Sequence, residues 1–458
     1  MARPAGPAAE LSPLTGGKGV FVAEGNTTDL AANGYTQDEY AVSGTASAYR
    51  PVGALSADGR WKLVADGSAP YKTRIVVRRP TDTSKFSGTV VVEWLNVSGG
   101  VDANPDWVTL REEIMRKGDI WVGVSAQKIG VMGGPVLVKV PGPGSELTGK
   151  GLIRIDPARY GTLDQPGDAY SYDIFTQVAR ALRTGQGLSG AHPKRLIATG
   201  ESQSAFAMVS YYDGIQPLTK AFDGFFVHSR GGAALPIVRP GQTADIAGAL
   251  QNKPVIFRTD LPEPVMDIQT ETDVSSILSS YGARQPDSDT FRLWEVVGTA
   301  HADKHLVGSQ ADQMQCGVPI NDGPMHLVAK AALRALTTWM ETGTAPVHAA
   351  RIDVKPGKTP TVQRDSDGIA LGGVRTPPVD VPVVVLSGEP GPNPSVICLL
   401  LGSTKPLPAA RLAELYPSRA AYVQRYDDDV QKTIAAGFVL PEDKAALEAF
   451  AQPALVGS

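Results

Sequence analysis

Apolar positions along this chain fall into short dense runs separated by stretches of helical period. Gly88 to Asn96 (GTVVVEWLN) is nearly continuous apolar and β-branched, the pattern of a strand buried on both faces. Asp106 to Lys117 instead sets Trp107, Leu110, Ile114 and Met115 on one side, which predicts a helix, and Asp119 to Ser125 (DIWVGVS) is strand-like again. Shorter strand-like pieces come earlier, at Glu39 to Val42 and Tyr71 to Arg78. Tyr170 to Thr184 carries Ile174, Phe175, Val178, Ala181 and Leu182 on one helical face and stops at Gly185. Strands follow at Arg195 to Thr199, Phe222 to His228, Val265 to Thr270 and Phe291 to Val297. Strands alternating with helical segments predict a parallel sheet wound by right-handed crossovers.

The pattern breaks twice and then weakens. Residues 128–168 and 229–263 are irregular, too long for ordinary connections, and are expected to form lid or pocket-wall insertions. Helices are expected at Val274 to Ser280 and at Pro324 to Met340, the latter with Asn321 or Asp322 as cap. Beyond Gly343 the chain is Pro-rich, with helical signal at Leu407 to Tyr416 and Pro441 to Phe450. No internal repeat stands out. The expected organisation is one domain over 1–458, with 344–458 as a C-terminal extension packed on the core.

Composition narrows the function classes. A chain of 458 residues with 42% hydrophobic residues has a large core, and its net charge of -4 comes from scattered charges, so no footprint for nucleic acid is present. The expected partner is a small or neutral molecule. No apolar run approaches the ~18 residues that span a bilayer, and the N-terminus lacks a hydrophobic leader core. The chain is expected to be soluble, cytoplasmic by default, or periplasmic or secreted as the mature form of an exported protein; oligomeric state is not legible. Cys316 and Cys398 leave two readings open: buried free thiols, or a disulfide closing a long loop in an oxidising compartment.

The densest chemical signal is RLIATGESQSAFAMV, 195 to 209, where an apolar run passes through Gly200-Glu201-Ser202-Gln203-Ser204 straight into a helical sequence. A strand-to-helix turn this tight requires small residues two places before and two after the serine, which Gly200 and Ser204 supply. It lifts the serine hydroxyl above the sheet and aims helix N-terminal N–H groups at the same spot. Ser202 is the candidate nucleophile.

A serine hydroxyl needs a base, and the base needs an orienting group. In a sheet of this winding the acid follows a strand beyond the nucleophile and the histidine follows the last strand. His301, in WEVVGTAHADKH, stands there; His305 is the nearest rival, His228 ends an earlier strand as a pocket residue, and His192, His326 and His348 are less suitably placed. The acid is Asp273 or Glu271 in VMDIQTETDV, with Asp273 favoured and Asp267 read as structural. Oxyanion donors are expected from the N–H of Gln203 and from the Asn96, Val97, Ser98 loop before Gly99-Gly100. Trp107, Gln127, His228 and Arg230, at or just beyond strand ends, are candidate pocket lining. There is no HExxH, no CxxC and no dinucleotide fingerprint, so neither a metal nor a cofactor is expected.

The segments NVSGGVDANPDW (96–107), WVGVSAQKIGV (121–131), DPARYGTLDQPGDAYSYDIFTQ (156–177), ATGESQSA (198–205), DGFFVHSRGG (223–232), QTETDV (269–274) and GTAHAD (298–303) resemble one branch of the α/β-hydrolase superfamily. These are the large bacterial and fungal alpha/beta hydrolase domain-containing proteins, and the likeness extends to NDGPMH near 321–326 and GSTKPL near 402–407. The resemblance implies an α/β-hydrolase fold with a mostly parallel central sheet flanked by helices, Ser202 as nucleophile, His301 as base, and an esterase-like activity. It also accounts for Ser204 where other branches carry a second glycine. Fold and triad are shared by esterases, lipases and lactonases, so the substrate stays open, with lactonase or amidase activity or an idle binding scaffold as alternatives.

Overall fold

Strands β1 (Glu10–Pro13), β2 (Tyr35–Pro51), β3 (Leu63–Pro80), β4 (Thr89–Trp94), β5 (Ile120–Val124), β6 (Arg195–Glu201) and β7 (Gly224–His228) of the computed structural model pair in the order β1-β2-β3-β5-β4-β6-β7. The structure describes residues 3–457 apart from 143, 358 and 359. The chain divides into two units, Met1–Val265 with Gly282–Gln285, and Met266–Tyr281 with Pro286–Ser458.

In the first unit β5, β4, β6 and β7 run parallel, while β1, β2 and β3 form an antiparallel edge that joins them through β3 and β5. All six residues of β4 are buried, as its unbroken Val run requires, and so are all five of β5 and β7. Helix α1 (Pro105–Lys117) returns the chain from β4 to β5, with Pro105 in its first turn and Gly118 in the left-handed conformation at its end. Helix α2 (Ser171–Arg183) buries most of its length, and α3 (Gln203–Ser210) leaves β6 through a single intervening residue, Ser202. Crossing from β4 to its two parallel neighbours places their C-terminal ends side by side, which is where ligands gather in sheets of this type.

The second unit holds β8 (Val265–Thr270) and β9 (Phe291–Val296) as neighbours, short helix α4 (Glu271–Ser275), and the longer α5 (Met325–Thr342) and α6 (Arg419–Ala435). Its C-terminal residues close on the strands: Trp294 donates to the Val347 carbonyl at 3.0 Å and meets Phe438 edge-on at 5.0 Å. Cys316 and Cys398 form a disulfide inside an apolar cluster with Ala302, Val307, Ile320 and Leu401. Among the described residues no helix is long and apolar enough to cross a membrane.

Several elements depart from expectation. β2 and β3 are 17 and 18 residues long because they continue as a ribbon, in which the first half of β3 is largely exposed and the second half of β2 buries only the dispersed Ala46, Ala48 and Tyr49, so there is no apolar run to read. The helix expected at Val274 to Ser280 begins earlier, at Glu271: Thr270 Oγ1 accepts the Asp273 N–H and Asp273 accepts the Thr270 N–H, a reciprocal cap that fixes the start, and Ser276 is already extended. Helix α6 was not anticipated, since its sequence is charged and its buried side is a narrow stripe of Tyr422, Tyr426, Asp429, Val430 and Thr433. The described residues of 128–168 include short helical turns at Lys128–Met132, Leu152–Ile155 and Pro157–Tyr160, packed around Val131, Leu152, Tyr160 and Leu163. Asp168 ties this segment to the other irregular one, accepting from the N–H groups of Lys128 and Ala244, each at 3.0 Å.

Candidate active site

Ser202 sits between β6 and α3 with φ 57° and ψ -120°, a conformation that L-residues rarely adopt and that persists only where the surroundings impose it. The reason for Gly200 is visible beside it: a Cβ there would lie 2.7 Å from the carbonyl group of Ser204. Ser204 fits where a second glycine is common elsewhere because its hydroxyl turns inward and donates to the Glu201 carbonyl at 2.8 Å. The Ser202 N–H donates to the His228 carbonyl at 3.0 Å, so β7 braces the turn. Gln203 is the first residue of α3, where backbone N–H groups have no acceptor within the helix.

Facing Gln203 is the loop after β4. The N–H groups of Asn96, Val97 and Ser98 are all engaged: Asn96 with the Ala103 carbonyl at 2.9 Å, Ser98 with Asn96 Oδ1 at 2.8 Å, and Val97 with Gln203 Oε1 at 3.3 Å. The last is the longest and weakest of the three. Asn96 Nδ2 also donates to the Glu201 carbonyl at 3.0 Å, stapling the loop to the turn. Gln203 Nε2 donates to Gln127 Oε1 at 2.6 Å, and Trp94 Nε1 donates to the same oxygen at 2.9 Å.

Behind the turn lies a buried polar network that the sequence did not disclose. His228 Nδ1 is 2.9 Å from Asp106 Oδ1, and Thr199 on the strand before the turn donates to the other Asp106 oxygen. Glu93 accepts from the Asp106 and Trp107 N–H groups and from Trp121 Nε1, at 3.0, 2.9 and 2.8 Å. Burial first, and then the Asp106 carboxylate, push the Glu93 carboxyl well above the usual range. The lone acid in VVVEW was the one available signal. Trp107 is fully buried, with its ring 5.4 Å from Trp121 and the Arg78 guanidinium 4.6 Å over it. Arg230 is buried as well, donating to the carbonyls of Gly231, Gly232 and Val255.

In the second unit His301 lies in the loop past β9, 5% exposed, with Nδ1 2.7 Å from Oδ1 of the fully buried Asp273. The other Asp273 oxygen accepts the Thr270 N–H at 2.7 Å, so the helix cap that displaced α4 also fixes the carboxylate. Glu271 is directed elsewhere: one oxygen accepts the Gly298 N–H at 2.9 Å, and the other accepts from Arg364 at 2.6 Å, Gly388 N–H at 2.9 Å and Ser387 at 3.1 Å. Asp267 accepts from Gln269 within the strand. His305 stacks on His326 with centroids 3.8 Å apart, His348 is exposed beside Asp287, and His192 is at the surface. Among the described residues no group of three or more His, Cys, Asp or Glu side chains is arranged to hold a metal ion.

Comparison with known proteins gives a family and a set of distant folds. A family model described as "Alpha/beta hydrolase domain" matches residues 6–449. No curated protein matches the chain. Among solved structures, a fungal esterase from Rhizomucor miehei is 10% identical over 66% of this chain and 86% of its own, with a TM-score of 0.33. Carboxyl esterase 2 from Tuber melanosporum is 11% identical over 64% and 88%, with a TM-score of 0.29, and a glucuronoyl esterase from Solibacter usitatus is 11% identical over 68% and 86%, with a TM-score of 0.30. The family match, covering nearly the whole length, shows that the chain belongs to the alpha/beta hydrolase domain family.

Proposed function

We propose that this hydrolase cleaves carboxylic esters through an acyl-enzyme on Ser202. The observation that carries the reading is the conformation of Ser202, held at φ 57° at the head of a helix by Gly200, Ser204 and the His228 carbonyl. A turn with that strain has a use if its side chain reacts.

In this reading His301 removes the Ser202 proton as Oγ attacks the ester carbonyl carbon. Asp273 accepts a hydrogen bond from the Nδ1–H of His301, which leaves Nε2 as the basic nitrogen and stabilises the imidazolium that forms. The oxyanion takes the N–H groups of Gln203 and Val97. The Val97 N–H is held at 3.3 Å by a neutral amide oxygen, which an anionic oxygen displaces because charge-assisted bonds are roughly twice as strong. His301 then returns its proton to the leaving alcohol, and water repeats the sequence to release the acid. Glu271, with both oxygens engaged by the Gly298 and Gly388 backbone and by Arg364, is assigned to holding the His301 loop in place.

Hydrolysis of a p-nitrophenyl ester series by wild type and by the Ser202→Ala variant tests this. Turnover is expected to fall by about 10⁶-fold if the three residues act as a unit. A Ser202→Ala enzyme that keeps its rate would remove the proposal, and lactones or amides turned over in preference to esters would shift the substrate class.

A further inference from the structure

Three side chains at the C-terminal ends of neighbouring strands β5, β4 and β6 form one chain of hydrogen bonds whose direction is fixed. Trp94 Nε1 can only donate, so the Gln127 atom it meets at 2.9 Å is the amide oxygen. That same oxygen, 2.6 Å from Gln203, must then face the Gln203 amide nitrogen. At the far end the Val97 N–H can only donate, which independently puts the Gln203 oxygen toward it. Both amides are therefore oriented from donors that cannot be reversed, and one group is left over. Among the described residues Gln127 Nε2 has no hydrogen-bond partner, although Gln127 is only 1% exposed. A buried N–H group without an acceptor is costly, and native proteins retain few of them.

We infer that the Gln127 amide N–H is a specificity group that donates to an oxygen on the acyl half of the substrate. The inference rests on the Ser202 reading. The amide is tied directly to Gln203, whose N–H serves the oxyanion, so Nε2 belongs to the acyl side of the scissile bond. The leaving oxygen must instead face the base that protonates it. The ligand class is an ester with an ether, hydroxyl or carbonyl oxygen on the acyl chain near the scissile carbonyl. A plain alkyl acyl chain leaves the amide unsatisfied and is the poorer substrate.

The test compares 4-nitrophenyl methoxyacetate with 4-nitrophenyl butyrate, which differ by one ether oxygen in place of a methylene. Wild-type kcat/KM should favour the methoxyacetate beyond the ratio given by hydroxide alone, a measurement that needs no variant. In Gln127→Met and Gln127→Glu that preference should drop by about 3- to 10-fold, the range of one neutral hydrogen bond. Any general damage to the elbow slows both esters and cancels in the ratio. Equal slowing of the two, or a wild-type ratio no greater than that of hydroxide, would overturn the inference and leave Gln127 as a brace for Gln203. If neither ester turns over and a fluorophosphonate fails to label Ser202, the hydrolase reading itself has failed, and this one with it.

Discussion

The molecule contains two buried histidine–aspartate pairs of nearly equal geometry, His301 with Asp273 at 2.7 Å and His228 with Asp106 at 2.9 Å. Their settings differ. His228 is the last residue of β7, its carbonyl holds the Ser202 N–H, and Asp106 is also engaged by Thr199 and stands next to Glu93. His301 lies in a loop beyond its strand, and the second oxygen of its aspartate accepts the Thr270 backbone N–H. A short His–Asp distance is therefore no mark of a base. What separates the two is whether the imidazole is built into a strand that braces the turn, or carried on a loop and oriented by one carboxylate.

The largest effect that could break this contrast is Asp273→Asn, expected to lower kcat by ~10⁴-fold through the wrong imidazole tautomer. Asp106→Asn should keep kcat within roughly tenfold, although each substitution disturbs two buried bonds, those of Asp273 to His301 and Thr270 and those of Asp106 to His228 and Thr199, and so costs about 1–3 kcal/mol of stability. Similar kinetic losses in both would mean that the pairs are equivalent. Next, the unit carrying His301 is cross-linked and the one carrying His228 is not. A Cys316→Ser/Cys398→Ser protein should lose about 4.5 kcal/mol in the chain-entropy model for a separation of 82 residues, read by urea unfolding, and thiol counting on the denatured native chain should find none. Glu271→Gln should cost stability and only a modest part of kcat; a loss matching that of Asp273→Asn would reassign the acid.

The smallest effect is a pH dependence confined to the His228 network. Glu93 holds its proton more tightly folded than unfolded, because of burial and Asp106. Its contribution is therefore complete below the unfolded carboxyl range, near pH 4, and is lost as pH rises toward the higher folded value. Urea unfolding between pH 4 and 8 should show wild type losing stability relative to Glu93→Gln as pH increases. A flat difference, or one of opposite sign, would mean that Glu93 is ionised in the folded protein.

What was legible in the sequence was whatever repeats locally. The β4 apolar run, the α1 stripe and the small residues flanking Ser202 are each determined within a few positions, and they gave the strand alternation and the turn. The hidden parts depend on distant partners. Thr270 capping α4 moved its start and turned Asp273 toward His301, whereas Glu271, two residues away, was drawn off by Gly298, Arg364 and Gly388. The sequence favours Asp273, but where Glu271 turns is set by partners far along the chain. Gln127 and Gln203 likewise meet only because β5, β4 and β6 are neighbours in space, and Arg230, at a strand end, turns inward to hold nearby carbonyls.

Incubating the folded protein with a fluorophosphonate and mapping the modified peptide tests whether the strained turn presents a reactive serine. Covalent labelling is expected at Ser202, blocked by His301→Ala and unaffected by a conservative change at His348. Absence of labelling in the folded wild-type protein, or labelling at another serine, would contradict it.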